Sequence, residues 1–269
     1  MSTQETGRAR GMKIIGLVNQ KGGVAKSTTA INLAAALVQM GKKVCVIDCD
    51  AQAHLTYGLG IQAHTLQATL YELLKGEAEL EDMLIERKGL LVVPSSLKLS
   101  AADMEFAGLP AREFLMKEAL KNLKGVDYVF CDSGPSLGLV TLNVLTYVQE
   151  VFVPCLAEFL SLQGMRDLRK TIEVVQKRLN QGLALTGVIV CRYDGRKKLC
   201  KEVLGTLKKH FPKELFKAII KENVSLAECP SHGQTIFEYR ASSKGAECYK
   251  ALAKELLAKE RQAKHGKKG

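Results

Sequence analysis

A glycine-rich segment, residues 19–28, separates a short apolar run from a long helical pattern. The preceding run, residues 13–18, is typical of a strand that is buried on both faces. From Ser27 to Met40 the apolar residues recur at helical spacing, and Gly41 is a common stop signal. In the order strand, loop, helix, backbone N–H groups and the positive end of the helix dipole face the loop. The segment therefore predicts a loop that binds phosphate groups.

The side chains of this loop suit the phosphates of a nucleotide. Lys26 would reach the β- and γ-phosphates, and the Ser27 hydroxyl would bind Mg²⁺. The strict pattern G-x-x-x-x-G-K-[ST] is not met, because Gln20 and Ala25 occupy its glycine positions. The residues expected to contact the nucleotide here are Lys21, Gly22, Gly23, Val24, Ala25, Lys26, Ser27 and Thr28.

Apolar runs alternate with helical patterns along most of the chain. The runs lie at residues 44–47, 90–93, 128–131, 151–153, 185–190 and 218–220. Such alternation predicts an α/β fold, with a mostly parallel twisted sheet and helices on both faces. Because no long linker interrupts the pattern, we expect one domain over residues 12–262, between a flexible N-terminus (1–11) and a basic flexible tail (263–269).

Acidic residues follow two of these runs directly. Asp48 and Asp50 come after the run at 44–47, and Asp132 comes after the run at 128–131. Ligands of such sheets bind at the carboxyl ends of the strands, so these acids should converge on the phosphate loop. There each acid would bind Mg²⁺ directly or through water, or position a nucleophilic water. For Asp48, a second role stays open, that of a carboxylate that caps a loop.

The charge of the chain points to a polyanionic partner. The net charge is +11, and the sequence pI is about 9.2. Basic residues are concentrated at 192–217, with nine Lys or Arg against three acids, and at 250–269, with seven against two. Nucleic acid is therefore a candidate partner. For the C-terminal segment, a merely solvated face is an equally good interpretation.

The cysteines argue against a protein held by disulfides or metal, and the apolar runs argue against a membrane-spanning or exported one. None of the eight cysteines forms a Cys-x-x-Cys pair, and several lie in strand-like runs, so we expect buried reduced thiols. No apolar run is long enough to cross a bilayer, and the first ten residues lack the apolar core of a signal peptide. We expect a cytoplasmic protein without stable membrane association.

Five blocks of sequence resemble the ParA/Soj family of partition ATPases. They lie, in family order, at residues 21–28, 47–52, 132–138, 193–196 and 228–233. The first block is similar to the deviant Walker A motif of the ParA/MinD superfamily, in which Lys21 matches an additional signature lysine. The resemblance implies a P-loop NTPase-like fold and an ATPase that uses ATP and Mg²⁺.

The resemblance also implies a role for each matching residue. Lys26 would be the phosphate-loop lysine, and Lys21 would reach across an ATP-bound homodimer to the partner's nucleotide. Asp50 matches the switch I aspartate that orients the attacking water, and Asp132 matches the Walker B aspartate. Ser27, Asp50 and Asp132 would hold the metal ion, partly through water.

Members of this family bind DNA without sequence preference when they are ATP-bound dimers. The resemblance therefore implies a nucleoid-associated protein for chromosome or plasmid segregation, with slow hydrolysis that a ParB/Spo0J-type partner stimulates. The residues expected to contact double-stranded DNA are Arg192, Arg196, Lys197, Lys198 and Lys201.

Some residues depart from the family pattern. Ala25 replaces a glycine, and a positive φ at this position would cost an alanine about 1–2 kcal/mol. Glu222 and Ser225 stand where many members carry DNA-binding arginines. Gly134 and Ala51 replace prolines of the two switch segments, which removes a constraint on φ.

Two alternatives remain open. A MinD-like ATPase that cycles on membranes would need a bulky amphipathic C-terminal helix, whereas residues 251–261 contain Leu252, Leu256 and Leu257 but no aromatic residue. We interpret that segment as a helix packed on the domain. If Ala25 impairs hydrolysis, the protein would instead be a slowly hydrolysing, nucleotide-gated scaffold. The cargo stays open in every case.

Overall fold

A mostly parallel sheet forms the centre of the fold. The computed structural model describes the backbone of residues 11–265 and, within that range, the side chains of residues 11–158 and 163–263. The strands are β1 (Lys13–Leu17), β2 (Val44–Cys49), β3 (Ile85–Arg87), β4 (Leu90–Val93), β5 (Tyr128–Ser133), β6 (Glu150–Leu156) and β7 (Ala184–Cys191). Their order in the sheet is β3-β4-β2-β5-β1-β6-β7, and only β3 and β4 pair antiparallel.

Helices connect the strands and cover both faces of the sheet. They are α1 (Lys26–Gln39), α2 (His54–Gly58), α3 (Leu70–Lys75), α4 (Leu80–Met83), α5 (Ala102–Glu105), α6 (Leu115–Ala119), α7 (Leu139–Tyr147), α8 (Phe159–Arg178), α9 (Lys198–His210), α10 (Val224–Glu228), α11 (Ile236–Arg240) and α12 (Lys244–His265). Short 3₁₀ turns lie at Ala63–Thr65, Leu97–Ala101, Arg112–Phe114 and Cys229–His232. The α/β architecture predicted from the sequence is confirmed.

The two faces of the sheet carry separate apolar clusters. In β5, Phe130 faces the cluster that contains α1 and α12, whereas Val129 faces the cluster that contains α7 and α8. All six residues of β2 and of β5 are buried, as expected of central strands covered on both sides. This double burial explains why these strands appear in the sequence as continuous apolar runs.

One predicted strand is wrong. Residues 218–220 run beside β7, and the Ile220 N–H donates to the Val190 carbonyl at 2.9 Å, but they form no strand. The N–H groups of Lys217 and Ala218 instead donate to the Glu255 carboxylate, each at 2.8 Å. The Glu255 carboxylate of α12 therefore accepts N–H groups that a further strand would donate to the sheet.

Helix α12 packs along α1. The Tyr249 side chain is fully buried, and its hydroxyl lies 3.2 Å from Oγ1 of Thr29 in α1. Leu252 and Leu256 are buried as well, which confirms that this segment is a helix packed on the domain. None of the described helices has the length and apolarity that crossing a membrane requires.

The ends of the predicted domain are only partly described. Helix α12 continues to His265, so three residues of the expected tail are helical. Residues 1–10 and 266–269, which make up most of the two segments expected to be flexible, lie outside the described residues. The extent of a single domain stays a prediction.

The eight cysteines are free thiols, and seven of them are buried. Burial raises the pKa of Cys191 to about 12. The Cys191 thiol is therefore protonated and poorly reactive near neutral pH.

Candidate functional site

The glycine-rich loop connects β1 to α1 at the carboxyl edge of the sheet. Asn19, which is buried, shapes its first turn. The Asn19 side-chain amide donates to the Pro154 carbonyl at 2.8 Å, and its oxygen accepts the Lys21 N–H at 3.0 Å. The loop is thereby tied to the end of β6. Sequence reasoning missed this residue, although an asparagine two residues after a strand is a common turn signal.

Ala25 adopts a left-handed backbone conformation, which is uncommon for a residue other than glycine. Its φ is 68° and its ψ is 35°, in the left-handed region, and Gly23 has a φ of 71°. The positive φ considered for this position is therefore present, and the Cβ of Ala25 costs about 1–2 kcal/mol. The Ala25 carbonyl accepts the first bond of α1, from the Thr29 N–H at 2.9 Å. Because alanine has no side-chain acceptor, it leaves the first N–H groups of α1 available for an anion.

The two lysines of the loop have different surroundings. Lys26 is buried, and its Nζ donates to the Lys21 carbonyl at 3.2 Å. Burial lowers the pKa of Lys26, and the nearby carboxylates of Asp132 and Asp50 oppose that shift. The Lys21 side chain is 39% exposed, and its Nζ lies 2.5 Å from Oε2 of Glu158. Lys26 therefore faces the interior of the site, whereas Lys21 lies at its surface.

Asp132 is a buried carboxylate without a hydrogen-bond partner. It lies near the end of β5 at full burial, and within the described residues neither oxygen has a partner. Burial, and next the charge of Asp48, hold its pKa well above the usual range, while Ser27 and Lys26 act in the opposite direction. An unpaired buried carboxylate is costly, and a cation beside it removes that cost. A carboxylate and a serine hydroxyl are the oxygen ligands that Mg²⁺ prefers, so these residues fit the expected metal ion.

Of the two roles open for Asp48, the contacts support the capping of a loop. Its Oδ2 accepts from the Thr56 N–H at 2.9 Å and from the Thr56 hydroxyl at 2.7 Å, and its Oδ1 accepts the Asp50 N–H at 3.1 Å. Burial raises the pKa of Asp48 to about 6. The carboxylate thus holds the turn that carries Asp50 against the middle of α2.

Gly134 lies against the Asp50 carboxylate. A Cβ built on Gly134 would lie 3.3 Å from Oδ1 of Asp50. The glycine that replaces a family proline therefore lets the segment after β5 pack directly on this acid.

These residues surround a cavity of about 680 Å³. Seven of the residues expected to bind nucleotide or metal line this cavity: Gly22, Gly23, Ala25, Lys26, Ser27, Thr28 and Asp50. Arg192, one of the residues expected to bind DNA, lines it as well. Val24 is buried in the core, so only its backbone is available to a ligand. Lys21 and Asp132 are not among its lining residues. The sequence did not reveal the opposite wall, which is formed mainly by residues 220–224, Pro230 and Tyr249.

A second cavity, of about 590 Å³, lies at the amino ends of the strands. Lys13, Tyr128, Glu150 and Glu260 are among its lining residues. It shares no residue with the loop, so the phosphate chemistry belongs to the first cavity.

Most of the basic residues expected to bind DNA face a carboxylate. Arg192 and Lys197 lie 4.0 and 3.8 Å from Glu222. Arg196 lies 2.8 Å from Asp194, and Lys198 lies 3.8 Å from Glu202, whereas Lys201 has no ion pair within the described residues. The pairs of Arg192, Lys197 and Lys198 are exposed on both sides, so each contributes little free energy, whereas Asp194 is 10% exposed and accepts from two nitrogens of Arg196. The DNA-binding role of the five residues stays a prediction.

Several known proteins are similar to this chain over most of its length. A family model described as an AAA domain matches residues 12–185. The sporulation initiation inhibitor protein Soj of Bacillus subtilis is 40% identical over 249 residues, which cover 91% of this chain and 98% of that protein. The chromosome-partitioning ATPase Soj of Thermus thermophilus is 42% identical over 249 residues, which cover 93% and 97%.

A solved structure with the same fold contains a bound nucleotide. Cobyrinic acid a,c-diamide synthase from Mycobacterium smegmatis, with bound ATP analog and magnesium, matches with a TM-score of 0.83 and 31% identity, and the match covers 94% of this chain and 97% of that chain. The relatives named chromosome-partitioning proteins match nearly the whole chain, as the structural neighbour does. The chain therefore belongs to the Soj/ParA family of chromosome-partitioning ATPases.

Proposed function

We propose that this protein is an ATPase for chromosome or plasmid segregation that dimerises when it binds ATP and Mg²⁺. One observation carries the proposal: the same loop carries Lys26, which is buried and lines the cavity, and Lys21, whose side chain is exposed at the protein surface. A site that served one subunit alone would need only the inner lysine. The surface lysine is available to a second nucleotide, bound by another copy of the chain.

Each residue of the site has a task in this function. Backbone N–H groups of the loop and the Lys26 ammonium bind the phosphates, and Ser27 and Asp132 hold Mg²⁺. When bound, the metal ion neutralises phosphate charge. Asp50 orients the water that attacks the terminal phosphate, and Gly134 leaves room for its carboxylate. The positive φ of Ala25 favours slow turnover in the absence of a partner.

Dimer formation depends on the nucleotide through Lys21. The dimer is favourable only when phosphates in the partner's site attract this lysine, so loss of the terminal phosphate favours separation. Lys21 has to leave Glu158 before it reaches the other subunit.

We further propose that the ATP-bound dimer binds double-stranded DNA without sequence preference, on the nucleoid in the cytoplasm. The net charge of +11 and the basic residues 192–201 support this proposal. A ParB/Spo0J-type partner would stimulate hydrolysis and thereby release the dimer from DNA.

Light scattering after size exclusion tests the dimerisation. We expect a monomer with ADP and a dimer with a non-hydrolysable ATP analogue and Mg²⁺. The Lys21→Ala variant should bind the analogue and remain monomeric. A Lys21→Ala variant that dimerises as well as the wild type would contradict the proposed role of this lysine.

Phosphate release distinguishes the switch from the slowly hydrolysing scaffold. A switch requires turnover that rises when DNA and a ParB-type partner are added together. Turnover that stays at the basal rate under all conditions would favour the scaffold.

A further inference from the structure

Arg87, the last residue of the edge strand β3, joins two segments that are distant in sequence. Its Nε donates to the Leu59 carbonyl at 3.0 Å, and its Nη2 donates to the Gly233 carbonyl at 3.0 Å. Its Nη1 lies 3.3 Å from Oε1 of Glu238. The planar guanidinium holds these three acceptors in a fixed geometry, which the single ammonium of a lysine cannot reproduce.

Both segments continue into walls of the nucleotide cavity. Leu59 follows α2, and the turn before α2 carries Asp50. Gly233 follows the 3₁₀ turn that carries Pro230. Asp50 and Pro230 line the cavity, whereas Arg87 does not. Arg87 therefore connects the two walls from outside the cavity.

Between Arg87 and the cavity, the two segments touch through their backbones. A Cβ built on Gly233 would lie 2.5 Å from Cα of Gly60, and one built on Gly58 would lie 3.6 Å from Cβ of Pro230. Gly60 and Gly233 also have positive φ, 77° and 62°. No side chain separates the segments at this contact, so the bonds of Arg87 add directional hydrogen bonds to the close packing of the two backbones.

A shift of α2 at Leu59 would reach Asp50. The middle of α2 is fixed by Asp48, which accepts both the N–H and the hydroxyl of Thr56. The same carboxylate accepts the Asp50 N–H. Leu59 lies only three residues after Thr56, and the helix itself has five, so we expect these two anchored positions to move as one body.

We propose that Arg87 is a positioning residue of the nucleotide site, which sets the distance between the wall with Asp50 and the wall with Pro230. The inference rests on the proposed binding of ATP and adds a residue that does not touch the nucleotide. A displacement of about 1 Å in a reacting group is enough to lower turnover strongly.

Nucleotide affinity and turnover test the inference together. Arg87→Ala should weaken the binding of a fluorescent ATP analogue with Mg²⁺ about tenfold and lower kcat about tenfold. Arg87→Lys should recover less than half of either loss. Arg169→Ala is the matched control, because Arg169 pairs with Glu173 on the surface of α8 at 3.6 Å.

A residue that served folding alone would lower Tm without changing the Kd of the folded protein. Kd and kcat within twofold of the wild type in Arg87→Ala would therefore overturn the inference. If that variant does not fold, Arg87→Lys is measured in the same way, and wild-type values there overturn it too. Failure of the wild type to bind the analogue would instead contradict the proposed function, and this inference with it.

Discussion

Lys21 and Glu158 are bound to each other at the surface of the nucleotide site, with Nζ of the lysine 2.5 Å from Oε2 of the glutamate. Glu158 immediately precedes α8, just after β6. The pair holds the lysine against its own chain. In the dimer proposed above, Lys21 has to break this contact before it reaches the other subunit, so we expect Glu158 to oppose dimer formation.

Glu158→Gln should therefore strengthen the ATP-dependent dimer. An exposed ion pair is worth about 0.2–1 kcal/mol, and each dimer would break two of them, so the dimer Kd should fall about twofold to thirtyfold at low salt. Analytical ultracentrifugation with a non-hydrolysable ATP analogue measures this change. Glu173→Gln, which removes the partner of Arg169 on α8, is the control and should have no effect. A weaker dimer would show that Glu158 acts within the dimer and does not restrain the monomer.

Ala25→Gly should raise ATP affinity or turnover about twofold to fivefold. The glycine removes the strain of φ 68° in the loop that contacts the phosphates. Calorimetry with the nucleotide and a phosphate-release assay measure the two quantities. Ala111→Gly is the matched control, because Ala111 has a φ of 51° in the segment between α5 and α6. A fall in both affinity and turnover for Ala25→Gly would show that the alanine is adapted to its loop.

Asp132→Asn should stabilise the protein without ligands and abolish its stabilisation by Mg²⁺ with ATP. The substitution removes a buried charge without a partner, so the free energy of unfolding at pH 8 should rise by roughly 1–3 kcal/mol. Denaturant unfolding with and without Mg²⁺ and ATP tests both effects. A variant as responsive to Mg²⁺ as the wild type would remove Asp132 from the metal site.

The same carboxyls predict how stability depends on pH. A carboxyl whose pKa is raised in the folded protein binds its proton more tightly there than in the unfolded chain, whose carboxyl pKa is about 4. As pH rises above that value, the unliganded protein therefore loses stability. Burial raises the pKa of Asp48 to about 6, so the loss of stability caused by Asp48 is complete by about pH 6. The pKa of Asp132 is raised further, so the loss of stability caused by Asp132 continues at higher pH. Asp132→Asn should remove the later part of this decline, and a decline unchanged above pH 6 would contradict the assignment.

Gly134→Ala should lower kcat about fivefold to tenfold and leave the Kd for ATP within twofold. The new Cβ would lie 3.3 Å from the Asp50 carboxylate, which has to move to relieve the contact. Stopped-flow binding and steady-state hydrolysis separate the two quantities. At Gly164 in α8, nothing lies within 4 Å of an added Cβ, so Gly164→Ala is the control. An unchanged kcat would show that Asp50 tolerates the shift.

Glu222→Gln should raise the affinity of the ATP-bound protein for duplex DNA about twofold to tenfold at low salt. It removes the carboxylate that faces Arg192 and Lys197. Affinity should fall steeply as salt increases, because phosphate contacts release counterions. Fluorescence anisotropy with two duplexes of unrelated sequence measures both effects. Glu247→Gln, which removes the partner of Lys244 on α12, is the control.

Replacing Lys197, Lys198 and Lys201 together by Glu should abolish this binding. If the triple variant binds DNA as the wild type does, these residues are not part of the DNA surface, and the lysines of α12 become the next surface to test.

The sequence predicts best those site residues that directly follow a parallel strand. Asp50 and Asp132 lie beside the loop because the carboxyl ends of parallel strands share one edge, a rule that needs only the order of strands and loops along the chain. Strand β3 was missed because it has three residues and no fully buried side chain. The strand predicted at residues 218–220 is wrong because the N–H groups of Lys217 and Ala218 donate to the Glu255 carboxylate.

Side-chain pairs across the fold lie beyond such reasoning. Glu158 is 137 residues from Lys21, and Glu238 is 151 residues from Arg87. Nothing in the spacing of charges shows which opposite charge each will meet. In the basic cluster at 192–201, Glu202 is four residues from Lys198 on one helix, whereas the Glu222 carboxylate that faces Arg192 and Lys197 becomes visible only in the fold.

The contact between Tyr249 and Thr29 spans 220 residues of sequence and connects α12 to the helix of the phosphate loop. At a translation rate of about 5–20 residues per second, the ribosome makes α12 roughly 10–40 s after α1. Throughout that interval the nascent chain carries the apolar face of α1 without the helix that later covers it. Because Tyr249 also lines the nucleotide cavity, we expect this site, although its loop is made early, to be completed only after α12 has been made.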